Sequence, residues 1–266
     1  MRIISLNAWG GAMFDELAPW LDECDADILC LQEVTHTPGV GGWTHFDDAE
    51  RSLPQRANLL ADVRSSLRRH HGSFTASDTG PVRNDTDRAH RQDFGLATFV
   101  TESLPIVATR SGFVHGEYAE YRHEWPIDGR PRTAQAVRVF DRRAQRFITV
   151  VHFHGLRDPR GKADTPARLA QAERLAEFVD GVREDGDLTV VCGDFNVLPH
   201  SETFRILNGL GLVDLVRDAD TRTSRYRKSL RHASYLLVSD PAAVGRFEVM
   251  TEPEVSDHRA LILDLR

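Results

Sequence analysis

Short apolar runs alternate with amphipathic stretches along the chain, and one alternation occurs twice. Ile3 to Leu6 form an apolar run that ends at Asn7 and leads into a Gly-containing turn. Leu17, Trp20, Leu21 and Cys24 then stand at i, i+3, i+4 and i+7, one face of a helix over residues 14–24. A second run, "DILCLQEV", ends near Glu33. The same grammar returns later. "FITVVHFHG" predicts a strand ending near His154, and Thr165 as N-cap with Pro166 behind it predicts a helix over residues 166–180. Leu169, Ala172, Ala176 and Val179 are expected to form its buried stripe. A strand through "TVVCGDFNVLP" closes the unit. A helical crossover makes the two strands of each unit parallel. Their C-terminal ends therefore share an edge, and that edge collects Asn7, Glu33, His154 and Asp194. Gly, Asp, Asn and Pro are also ordinary turn formers. Turn chemistry explains each residue singly, but not the equivalent placement of all four.

The rest of the pattern predicts a helix over residues 54–71, with Leu60, Val63 and Leu67 apolar, and a polar surface loop over residues 76–93. "FGLATFV", "TAQAVRVFD", "RFITVV", "ASYLLVS" and "RALILDL" read as further strands. Strands outnumber helices and several follow one another directly. The sheets are thus expected to be mixed, forming a two-layer β core with helices outside.

Composition narrows the class. The 266 residues suit one domain spanning 1–266, with 41% apolar and 27% charged residues as in globular proteins. No run reaches the roughly 18 apolar residues of a membrane span, and the N-terminus reads as a strand, not a leader, so the expected location is cytoplasmic. Cys24, Cys30 and Cys192 have no metal or disulfide spacing and read as buried small side chains. A net charge of −7 gives no support to broad salt-driven nucleic-acid binding. The basic residues cluster, however. Arg64, Arg68 and Arg69 read as a solvated helix end, whereas Arg222, Arg225, Arg227, Lys228 and Arg231, with Thr223 and Tyr226 among them, suit contact with an anion.

Near the C-terminus stands "EVSDHRALILDL". With "LNAWG", "LQEV", "VHFHG" and "CGDFN" in that order, the sequence resembles the endonuclease/exonuclease/phosphatase superfamily along nearly its whole length. The resemblance implies a four-layer α/β sandwich, two mixed β-sheets face to face with helices on the outer faces. It implies Glu33 as the main metal carboxylate, with Asn7 beside it and Asp257 assisting. It implies Asp194 as the group that orients or deprotonates the attacking water, Asn196 as a donor to a phosphate oxygen, and His154 and His258 as catalytic histidines. Oxygen donors of this type suit Mg²⁺, with Mn²⁺ as a substitute, and no Cys/His cage competes for a softer metal.

Phosphoester hydrolysis needs charge neutralised on the phosphoryl oxygens and a positioned water. Arg132, Arg222 and Tyr226 are candidate substrate contacts, and His152, on the same strand face as His154, is expected to stand behind it. The expected activity is Mg²⁺-dependent hydrolysis of a phosphoester, most of all a nuclease-like phosphodiesterase. The alternatives are a phosphomonoesterase, a sphingomyelinase-type hydrolase, or a catalytically weakened phosphate-binding protein. The basic segment near residue 226 points to a substrate with more than one phosphate, possible nucleic acid included, and no protein partner is evident. One position departs from the family pattern. Ser234 stands where most members carry an Asp that bonds the histidine of "SDH", so either another acid, Asp214 or Asp240, replaces it, or the enzyme is slow or works on a substrate that needs less help.

Overall fold

A computed structural model describes residues 1–266. In chain order the elements are β1 (Arg2–Asn7), α1 (Phe14–Glu23), β2 (Ile28–His36), β3 (Trp43–Asp47), β4 (Ser52–Arg56), α2 (Leu59–Ser66), β5 (His70–Asn84), β6 (Ala89–Thr101), β7 (Ile106–His115) and β8 (Ala119–Glu120). They continue with β9 (Arg132–Asp141), β10 (Arg146–His154), α3 (Pro166–Asp180), β11 (Leu188–Asp194), α4 (Glu202–Asn208), β12 (Val213–Asp214), β13 (Ser234–Val238), β14 (Val244–Val249) and β15 (Leu261–Leu265). One sheet runs β14-β15-β1-β2-β6-β5-β3-β4, with β8 beside β5; the other runs β12-β13-β11-β10-β9-β7. Each holds one of the repeated units. β1 pairs β2 in parallel and β10 pairs β11 in parallel, and most of the other pairs are antiparallel.

Residue alternation explains the layers. On β1, Ile3 joins the core between the sheets, whereas Ile4 and Leu6 pack with Leu17, Leu21, Leu60 and Val63 of α1 and α2. On the other side, Leu175, Phe178 and Val179 of α3 and Leu207 of α4 cover the second sheet. Both faces of each central strand are buried, as apolar runs without clean alternation require. The result is the expected four-layer sandwich. All three cysteines are buried and free.

Three expectations need correction. Residues 54–71 are not one helix. Pro54 lies in β4, the edge strand, where a missing N–H is tolerated. Asn58 then caps α2, its side chain accepting from the Ala61 N–H. Residues 76–93 are not a loop but most of the β5–β6 hairpin. Their polar side chains are satisfied inside it: Gln92 donates to Thr44 Oγ1 and to the Ala57 carbonyl, and Asp78 takes both arms of Arg130. On α3, Leu169 is exposed, and the buried side runs through Arg168, Ala172, Leu175 and Val179. Arg168 is buried because its guanidinium donates to the carbonyls of Ala163, Leu156 and Gly161.

Candidate active site

Backbone irregularity at strand ends aims the site residues. The β2–β6 register shifts between Leu31 and Val34, and Glu33 sits in that bulge with φ of 55°. A bulge re-aims one side chain, and a non-glycine residue in this region costs about 1–3 kcal/mol. Asn196, just past β11, has φ of 54°. Between them in logic is Gly193, with φ of 138°, where a Cβ would lie 2.1 Å from the Phe153 carbonyl oxygen. Only glycine lets β11 run so close to β10 while delivering Asp194 at its end.

The two sheets contribute facing groups. Asn7 Nδ2 donates to Glu33 Oε1 at 3.1 Å and to Asp194 Oδ2 at 3.0 Å, while its oxygen accepts from the Trp9 N–H. Ser256 anchors the same strand end by donating to the Asn7 carbonyl. Asp194 Oδ1 accepts from the Asn196 N–H. His154 Nε2 lies 3.7 Å from both Glu33 Oε1 and Asp194 Oδ2. His258 Nε2 lies 3.4 Å from Asp194 Oδ2 and 3.8 Å from Asp257 Oδ1. Asn196 Nδ2 is 3.5 Å from His154 Nε2. Residues predicted from five separate motifs thus converge.

Burial sets the protonation states. It pushes His154 well below its ordinary value, helped by Arg132 and Arg130, and His258 likewise, helped by Arg222 and Lys162. Both are neutral near pH 7. Burial raises Asp257 to about 7, against the opposing pull of Arg222. Arg132 falls to about 10 through burial and the neighbouring Arg130.

Glu33, His154 and Asp194 bring one ligand atom each within 4.8 Å of one another. The two carboxylates suit a hard divalent cation, and the imidazole is the softer, borderline donor of the set. The ligand set expected from sequence is distributed differently. Asn7 is in the cluster, but its amide oxygen is taken by Trp9 and its N–H groups hold the two carboxylates. Asp257 pairs with Arg222 Nη1 at 2.7 Å, with His258 between it and Asp194.

His152 is buried behind the site. Its Nδ1 meets Gln32 Nε2 at 3.2 Å, and its Nε2 meets Thr98 Oγ1 at 2.8 Å and Gln135 Oε1 at 3.0 Å. Burial lowers it to about 3. Ser234 Oγ lies 2.9 Å from His258 Nδ1. Neither candidate replacement acid reaches that histidine. Asp214 accepts from the Val216 and Arg217 N–H groups of its own turn, and Asp240 from the Ala242 N–H.

Glu33, His154, Asp194, Asn196, Asp257 and His258 open onto a cleft of about 630 Å³. Of its 27 lining residues, ten are Arg or Lys and five are acidic, so the cleft is cationic in a chain of net charge −7. Arg132, Arg222 and Tyr226 all line it. Arg222 is half engaged by Asp257 and lies 4.1 Å over the Tyr226 ring. Arg132 is 5% exposed, has no acid or carbonyl partner, and leaves Nε unbonded. Thr223 does not face the cleft as a free hydroxyl, since it donates to the Ser256 carbonyl. Lys162 was invisible to sequence reasoning, standing in a Gly-Lys-Ala loop with no motif. Gln32 was legible in principle, beside Glu33 in "LQEV".

A profile of the endonuclease/exonuclease/phosphatase family matches residues 4–258. The chain belongs to this family. Among curated relatives, the inositol phosphosphingolipids phospholipase C of Schizosaccharomyces pombe is 24% identical over 235 residues, 80% of this chain; the chain spans only 45% of that protein. Among solved structures, the mannosyl-6-phosphatase of Bacteroides thetaiotaomicron superposes with a TM-score of 0.67 at 15% identity, covering 100% of this chain and 99% of that one. The human Nocturnin catalytic domain does so with a TM-score of 0.65 at 19% identity, covering 100% and 94%. The endonuclease/exonuclease/phosphatase proteins share the two-sheet sandwich seen here, and members of the family are phosphoesterase hydrolases.

Proposed function

We propose that this protein is a metal-dependent phosphodiesterase, with Mg²⁺ as the working cation and Mn²⁺ as a substitute. The observation that carries the reading is the buried, partnerless Arg132 in the same cleft as Glu33, Asp194, His154 and His258. A buried guanidinium without an acid is expensive unless an anion completes it. A phosphoryl oxygen is such a partner, and the carboxylate–histidine cluster stands beside it.

Glu33 would hold the cation, with His154 and Asp194 as the donors nearest to it. When bound, the cation would neutralise phosphoryl charge and polarise the ester. The chain's own residues do the rest. Asp194, fixed by Asn7 and the Asn196 N–H, orients a water and accepts its proton. His258, neutral, donates from Nε2 to a phosphoryl oxygen. Asn196 donates through its side-chain amide. Arg132 and Arg222 bind the anion. A diester fits a cleft of this volume better than a lone phosphate, since cavities of several hundred Å³ enclose drug-sized ligands. The sphingolipid relative named above and the nuclease-like reading of the motifs both concern phosphodiesters.

Hydrolysis of bis(p-nitrophenyl) phosphate tests the reading. Activity is expected with Mg²⁺ or Mn²⁺ and to vanish with EDTA. Asp194→Asn is expected to lower kcat by at least about 100-fold, and Glu33→Gln to weaken Mn²⁺ binding by calorimetry. Turnover indifferent to EDTA and to Asp194→Asn would overturn it. A panel of oligonucleotides, sphingomyelin micelles and phosphomonoesters then ranks substrates.

A further inference from the structure

Six of the ten cations lining the cleft are spoken for. Arg51 pairs with Asp48, Arg130 with Asp78, Arg157 with Glu50 and Arg222 with Asp257. Arg168 and Lys162 donate to backbone carbonyls. Arg132, Arg225, Arg227 and Lys228 have neither an acid nor an acceptor. Arg132 lies deep, beside the carboxylates. The other three lie together on one exposed loop, Ser224–Leu230.

That loop is rooted, not loose. The Thr221 N–H donates to the Arg231 carbonyl and closes its base. Arg231 clamps it from within: Nε donates to Asp220 Oδ2 at 2.6 Å, Nη2 to the Arg222 and Thr223 carbonyls, and Nη1 to the Tyr226 carbonyl. Ser224 is tied to Glu254 through both N–H and hydroxyl; that carboxylate feels Arg225 electrostatically but pairs directly with none of the three loop cations. Arg259 and the Asp257 carbonyl join the base to the segment carrying His258. A base fixed at this many points presents three like charges toward the cleft. Like charges held together without a directly paired counter-charge repel one another, and an anion relieves this.

We propose that Arg225, Arg227 and Lys228 form a second anion site, which takes a further phosphate of the substrate while Arg132 and the metal cluster take the scissile one. The preferred substrate is therefore a phosphodiester with an additional phosphate, not a singly charged diester. This rests on the phosphodiesterase reading for the role of the deep site. Arg132 supports the cleft as an anion receptor independently, since it is buried and aimed into the same space without a partner.

Calorimetry with the Mg²⁺-loaded protein tests the site without turnover. The probes are inositol 1-phosphate and inositol 1,4-bisphosphate. The wild type is expected to bind the bisphosphate at least tenfold more tightly. The exposed triple variant R225A/R227A/K228A is expected to bring the two within about twofold, leaving inositol 1-phosphate affinity and bis(p-nitrophenyl) phosphate turnover unchanged. Equal affinities in the wild type, no bisphosphate binding, or a preference that survives the triple variant would overturn the site. Absence of metal-dependent turnover, with the bisphosphate preference intact, would instead overturn only the phosphodiesterase reading.

Discussion

At the scale of single residues, Asp194 decides which nitrogen of His258 carries its proton, and Ser234 accommodates the choice. His258 Nε2 faces Asp194 Oδ2 at 3.4 Å, and a carboxylate only accepts. The proton therefore belongs on Nε2, and Nδ1 accepts from the Ser234 hydroxyl 2.9 Å away. A carboxylate at position 234 would accept from Nδ1 and favour the other tautomer or a protonated ring. Serine, able to donate as well as accept, thus permits His258 to act as a neutral donor toward the site. Ser234→Ala should lower kcat by about tenfold with KM within twofold, in the range of one lost hydrogen bond in a catalytic network. Ser234→Thr, retaining the hydroxyl, should recover most of it; equal losses in both would reduce the residue to packing. Lys162 has the opposite visibility, absent from any motif yet in the cleft. Burial lowers it to about 8, Arg222 and Arg168 pushing it further down while Asp194 and Asp257 pull it back, with the Tyr226 ring 5.9 Å from its ammonium. Its charge is present below pH 8 and lost above. KM for an anionic diester should therefore rise above pH 8 in the wild type. In Lys162→Met that rise should disappear, with KM high throughout; an unchanged profile would exclude Lys162 from substrate binding.

At the scale of elements, legibility followed local signals. The two β–loop–α–β units were readable because their strands end in chemistry and α3 carries a cap and a proline at its start. The β5–β6 hairpin was not, because its polar residues look like a loop until partners distant in sequence, Thr44 and Arg130, satisfy them. α2 was displaced because edge-strand pairing outweighed an apolar spacing that also fitted a helix. The relation of His152 to His154 was readable only as a shared strand face. The structure separates them by depth. His154 opens onto the cleft, whereas His152 links β2, β6 and β9 through Gln32, Thr98 and Gln135. That network joins the two sheets behind Glu33. Removing a buried, fully bonded group leaves its partners unsatisfied, at about 1–3 kcal/mol. His152→Ala should therefore lower Tm by several degrees with a modest loss of kcat. His154→Ala should keep Tm and lose activity by about 100-fold or more. Thermal unfolding and turnover measured on both variants check the division, and equal mild losses in both would sink it.

At the scale of the whole molecule, charge is divided between surface and cleft. The chain carries −7 overall, yet its cleft lining has twice as many cations as acids. Such an arrangement draws a compact anion inward and repels an extended one wherever it leaves the cleft. Long duplex DNA spreads its phosphates over a surface much wider than the cleft, and the acidic remainder of this protein opposes it. Each neutralised duplex phosphate adds about 0.9 to the slope of log affinity against log salt. Only the cleft cations contribute here, so the slope should stay at that of a few phosphates. It should not grow when the DNA is lengthened from a 10-mer to a 40-mer duplex. A protein reading duplex along an extended face would instead give a slope and an affinity that increase with length. Fluorescence anisotropy at 25–300 mM NaCl, in Ca²⁺ to suppress turnover, measures both. A length-dependent slope would place a second cationic surface outside the cleft and favour a nuclease of extended duplex DNA. A flat one, lost in the R225A/R227A/K228A variant, is expected from a cleft built for a short, multiply phosphorylated diester.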